Sequence, residues 1–237
     1  MRRNAKGERD GETFEDALAD LKRRGSTTLV VGSVPAEAYH EVSRRMLGDQ
    51  TSDGERRRLL VVPDSDREAA AERLRGAGPT DAAHARIVTC NGTSRSAAAS
   101  GGPNAGVPAI RRVDGSISDL GVAITESVER FEAVAGGLEP AELRVGVDPL
   151  SALDGYDTRS AFGFLHVLGR QVRAADGMAH VRLAREYDTP EVRTLAPLFD
   201  AVLELRLDGY RLEQRWHLAD GDVVSDWLPV DEYSGER

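Results

Sequence analysis

Leu143-Arg144-Val145-Gly146-Val147-Asp148-Pro149-Leu150-Ser151-Ala152-Leu153 is the stretch on which the fold turns. Leu143, Val145 and Val147 make a short apolar strand, and it hands an aspartate, Asp148, to its carboxyl end just before a proline stops it. Upstream, Leu120, Ile124, Val128, Phe131 and Ala135 recur at helical spacing until Gly136-Gly137 closes the helix. Downstream, Thr158 is placed to cap a helix that carries Phe162, Leu165, Gly169 and Val172 on one face. Asp176-Gly177 ends that helix, and Met178-Ala179-His180-Val181-Arg182-Leu183 reads as the next strand. Helix, strand, helix, strand is the rhythm of a parallel α/β sheet.

The amino-terminal half repeats it. Phe14, Ala17, Leu18 and Leu21 mark a helix over Thr13 to Arg23, with Gly25 beyond it and the strand Thr27-Thr28-Leu29-Val30-Val31 next. That strand runs into Gly32, and Ala36 to Leu47 follows as a helix with Ala38, Val42 and Met46 on one face. After the polar loop 48–55 comes Arg58-Leu59-Leu60-Val61-Val62, which ends at Pro63-Asp64-Ser65-Asp66, where Ser65 or Asp66 can cap an Ala-rich helix reaching Leu74. Ala85 to Cys90 is a short third strand, and 94–106 (S-R-S-A-A-A-S-G-G-P-N-A-G) has no apolar period, as expected of a flexible surface insertion.

At the other end Thr189-Pro190-Glu191 opens a short helix. Ala201 to Leu207 and Tyr210 to Leu218 then alternate apolar with polar residues around Asp208-Gly209, a hairpin signal, and Val223 to Val230 adds a third strand carrying Trp227. The organisation expected is one doubly wound, mainly parallel α/β domain over 13–230 with a C-terminal antiparallel meander. It is flanked by a disordered tail at 1–12 and a short tail at 231–237, with the insertion at about 93–108.

Composition narrows the function. The 237 residues include 40 acids and 31 Lys plus Arg, a net charge of −9, and only Lys6 and Lys22 are lysine. Such a surplus opposes binding to nucleic acid, whose affinity comes from neutralising phosphates, and an Arg-for-Lys, acid-rich surface points to a high-salt cytoplasm. Arg23-Arg24 and Arg56-Arg57-Arg58 read as solvated strand ends. No run is long and apolar enough to span a membrane, and the first residues lack the apolar core of a signal peptide, so a cytoplasmic location is expected. The lone Cys90 reads as a small buried side chain, and the five histidines show no metal-ligand spacing.

From Leu143 to Leu207 the succession of elements, with D-P-L-S-A-L and F-D-A-V-L-E-L-R, resembles the C-terminal half of RecA/KaiC-like ATPases. It is most similar to uncharacterised RecA/KaiC-like proteins of halophilic archaea, whose ends carry runs like Gln214-Arg215-Trp216-His217-Leu218 and Asp226-Trp227-Leu228-Pro229. The resemblance implies that Asp148 stands at the Walker B aspartate that holds magnesium, with Asp64 and Asp66 near the catalytic carboxylate that orients water. It also implies a strand order of Ala201–Leu207, Thr27–Val31, Met178–Leu183, Leu143–Asp148, Arg58–Val62, all parallel. Asp148, Asp64 and the Ser33–Glu37 turn would then share one edge as an acidic cleft.

The phosphate loop itself is missing. The pattern G-x-x-x-x-G-K-[ST] laid on Gly32 and Ser33 puts Glu37, Ala38 and Tyr39 where glycine, lysine and the hydroxyl belong. Backbone N–H groups and a lysine cradle the phosphates in that loop, whereas Glu37 opposes them and Pro35 removes a donor. The function expected is therefore that of a degenerate, non-catalytic RecA/KaiC-like domain working through protein contacts, with a protein partner or second copy and no cofactor. The alternatives are an ATPase or nucleotide-binding protein with a rebuilt loop using Asp148 and Mg, and a small-molecule enzyme using the cleft at the strand ends.

Overall fold

The computed structural model describes residues 14–48, 55–90, 108–150, 158–218 and 223–230. The expected tails, most of the insertion, the Thr13 cap and Ser151–Leu153 lie outside these residues. In chain order the elements are α1 (Phe14–Arg23), β1 (Ser26–Val31), α2 (Ala36–Met46), β2 (Arg57–Pro63), α3 (Arg67–Ala77), β3 (Ala85–Cys90), β4 (Ala109–Val113) and α4 (Ile117–Ala135). There follow β5 (Leu143–Val147), α5 (Thr158–Ala174), β6 (Met178–Leu183), α6 (Pro190–Leu195), β7 (Ala201–Asp208), β8 (Arg211–Leu218), β9 (Val223–Val224) and β10 (Leu228–Pro229).

The sheet runs β10-β8-β7-β1-β6-β5-β2-β3-β4, with β9 also on β8. Its five central strands, β7, β1, β6, β5 and β2, are parallel and stand in the order expected, with β6 inserted between the Gly32 strand and the Asp148 strand. This is a RecA-like doubly wound sheet. Burial on both faces is why Leu59-Leu60-Val61-Val62 reads as an unbroken apolar run. Leu59 and Val61 face α4 and α5, while Leu60 and Val62 face α3. Val30, Leu203 and Leu205 pack under α1 and α2.

Local chemistry explains the ends. Ser116 and Asp119 form a capping box at the start of α4, and Gly136, in the left-handed region at φ 77°, closes it. On α5 Leu165, Gly169 and Val172 are buried as expected, Phe164 and Leu168 join them, and Phe162 alone of the expected stripe is only half-buried. Asp66 occupies the N-cap position of α3 without a side-chain cap bond, because a short 3-10 turn, Asp64–Asp66, precedes that helix.

Three expectations are corrected. β4 is an additional parallel strand on β3, missed because Ala109-Ile110-Arg111-Arg112-Val113 carries two arginines with little alternation. Val223 to Val230 is not one strand: β9 and β10 both pair with β8, and Ser225 bridges the break by exchanging backbone and side-chain bonds with Trp216. Arg57 and Arg58 are buried inside β2, not solvated. Arg57 pairs with Glu142 at 2.9 Å, and Arg58 donates to the carbonyls of Leu47 at 3.1 Å and Gly48 at 3.0 Å. Arg144 adds a bond to the carbonyl of Met46, so two guanidiniums satisfy the free carbonyls that end α2. Burial beside Arg56 and Arg58 pulls the pKa of Arg144 down to about 9.

Candidate functional site at the carboxyl edge of the sheet

Gly32 sits where β1 leaves the sheet. Its φ is +128°, and a Cβ there would lie 2.2 Å from the carbonyl oxygen of Leu205 on β7, so only glycine fits. Ser33 to Pro35 carry no regular structure, and Pro35 starts α2 without a side-chain cap. Glu37 is exposed and Ala38 half-buried, but Tyr39 is buried at 1 % exposure and replaces Ala38 as the anchor of the helix's inner face, with Val42 and Ser43. A buried aromatic ring thus stands at the position where the phosphate pattern has a small hydroxyl. The guanidinium of Arg182 lies 4.5 Å from its centroid. Burial, then the charge of Asp148, pushes the Tyr39 hydroxyl's pKa upward.

Asp148 follows β5, its N–H donating to the carbonyl of Val61 at 2.9 Å, and its side chain turns to the α2/α3 face. Arg73 Nη1 on α3 lies 2.7 Å from Oδ2, Arg182 Nη1 on β6 lies 3.3 Å from Oδ1, and His40 Nε2 on α2 lies 3.8 Å from Oδ2. A carboxylate taken this far from water needs partners, and two guanidiniums supply them. Burial, followed by Arg73, lowers the pKa of His40 below its ordinary value.

Beneath that layer Ser43 Oγ and His180 Nε2 are 2.8 Å apart, with Arg73 Nη1 3.5 Å from the same oxygen. Gly146 makes the contact possible, since a Cβ there would come within 2.9 Å of the His180 ring. Enclosure, then Arg73 and Arg144, pulls His180 down to about 3, so its imidazole is neutral.

Asp148, Asp64 and the Gly32 turn do end on one edge, but the edge is not the acidic cleft expected. Asp64 is held by Arg112 of β4, with both its oxygens 2.9 Å from Nη2, and that hydrogen bonding lowers its pKa. Asp66 is exposed and accepts from Ser65. No cluster of three metal-ligating side chains occurs among the described residues. The residues present do not fit MgATP, because Ala38 and Tyr39 stand where the pattern needs lysine and a small hydroxyl and both oxygens of Asp148 are already engaged.

Arg73 and Arg182 are the residues that sequence reasoning missed. A signal was there: Arg73 falls in step with Ala70, Leu74 and Ala77 on the apolar face of α3, and Arg182 directly follows the buried run Ala179–Val181 in β6. A charge on an apolar face asks for a buried partner.

No curated protein matches the chain significantly. Among solved structures it is similar to the KaiC-like protein PH0186 from the hyperthermophilic archaeon Pyrococcus horikoshii OT3. The TM-score is 0.51 at 12 % identity, covering 87 % of this chain and 85 % of that one, which shows a RecA/KaiC-like fold. The model of the family of unknown function DUF7504 matches residues 25–205, and the chain belongs to that family.

Proposed function

We propose that this protein is a non-catalytic RecA/KaiC-like domain that acts through contacts with a protein partner or a second copy, in a regulatory role. The observation that carries the reading is the engagement of Asp148 by Arg73 and Arg182, beside a Tyr39 that fills the place of the phosphate-loop hydroxyl. A magnesium ion would have to displace two guanidiniums from Asp148, the carboxylate at which the resemblance would place it. That exchange forfeits a buried ion pair and leaves the arginines uncompensated. Contact surface is available on the α4/α5 side, where Val122, Val134 and Val167 are large apolar side chains left 46–55 % exposed.

Calorimetric titration of MgATP at molar KCl tests this. No heat of binding is expected, and no phosphate release in a parallel assay. A dissociation constant in the low micromolar range or tighter would show the rebuilt-loop ATPase instead.

A further inference from the structure

At the opposite end of the strands from Asp148, where β3 and β4 begin, a cavity of about 220 Å³ opens between the sheet edge and α4. Arg86, Arg111 and Arg130 converge on it, Glu126 is the acid in its lining, and Ile87, Ala109, Ile110 and Ser127 complete the lining. Arg111 is bound to Glu126. Arg86 stacks over Phe131 with Cζ 5.9 Å from the ring centroid, and its Nε is buried with no hydrogen-bond partner among the described residues. Among those residues neither Arg86 nor Arg130 has a carboxylate partner, so three guanidiniums against one carboxylate leave two positive charges unmatched around one hollow.

That arrangement is costly for an empty site. A buried N–H without an acceptor forfeits its hydration, and like charges drawn together repel. Burial, then Arg130 and Arg111, lowers the pKa of Arg86 accordingly. The chain as a whole, at a net −9, gives general anion attraction no help, so the cationic character is local.

We propose that this cavity binds a divalent oxyanion of the phosphate type, carried by free phosphate or by a small phosphate monoester. Two unmatched charges fit a dianion, and the guanidinium fork matches its oxygens two at a time. The volume accommodates a phosphate with a small organic group.

The test is thermal unfolding of the full chain titrated with inorganic phosphate, glycerol phosphate or acetate, with ionic strength held constant by KCl. Phosphate should raise the melting temperature with a midpoint in the millimolar range or below, and acetate should not. Arg130→Gln, which alters an exposed side chain, should weaken the response at least tenfold, and Arg193→Gln, remote from the cavity, should leave it intact. Glycerol phosphate tenfold tighter than phosphate identifies a monoester as the ligand, and equal or weaker binding identifies the free ion. An equal response in wild type and Arg130→Gln, an equal response to acetate, or none at all overturns the proposal. Any ATP binding that Arg130→Gln abolishes would belong to this cavity and leave the reading of the Asp148 cleft untouched.

Discussion

Arg73 Nη1 lies 2.7 Å from Asp148 Oδ2, and each side chain is only 4 % exposed. Arg73→Met would leave a buried carboxylate with Arg182, at 3.3 Å, as its remaining guanidinium. Breaking a buried pair from one side costs about 3–5 kcal/mol. Chemical denaturation should show that loss, and the double variant Arg73→Met with Asp148→Asn should recover more than half of it. A loss under about 1 kcal/mol would mean that the pair is not desolvated as described.

Stability should fall in mild acid because of His180. Its folded pKa of about 3 lies below the ordinary 6.5, so between these values the unfolded chain binds the proton and the native chain does not. The contribution is therefore complete above pH 6.5 and shrinks as pH drops, by up to about 1.4 kcal/mol per pH unit. His40, shifted the same way, adds to the trend. Urea titrations between pH 7 and 4.5 should show the slope, and His180→Gln should flatten it; parallel curves would contradict the assignment.

Grafting the phosphate motif, with Glu37→Gly, Ala38→Lys and Tyr39→Ser together, should not restore MgATP binding. The graft empties a fully buried aromatic site, at a cost of about 3–5 kcal/mol, while Arg73 and Arg182 still hold Asp148. Micromolar binding by the graft would show that the loop was the only obstacle.

Raising KCl from low concentration to molar should stabilise the fold. Nine surplus negative charges repel one another, and salt at 1 M screens them within about 3 Å. The exposed pairs, such as Arg23 with Asp20, weaken in the same salt but contribute little each. Thermal melts that stay flat or decline would reject the prediction.

The central sheet was legible because each of its strands is a short apolar run bounded by glycine, proline or a capping residue, as Thr27–Val31 is by Gly25 and Gly32. The order of the strands came from the resemblance, not from periodicity. β4 was hidden because an edge strand buries less, and its Arg111 and Arg112 serve Glu126 and Asp64 instead of a core. The position of Asp148 could be read, but its occupancy could not. Its partners sit 75 residues upstream and 34 downstream, and no local pattern links residues so far apart.

Helix α2 is fastened at three heights: Tyr39 under Arg182 near its start, Ser43 to His180 midway, and the carbonyls of Met46, Leu47 and Gly48 to Arg144 and Arg58 at its end. Mechanically it is a strut bolted to three different strands, with no length left to slide or pivot. Its inner-face amides should accordingly exchange hydrogen for deuterium only when the whole domain opens, as slowly as those of β1 and β6 beneath it.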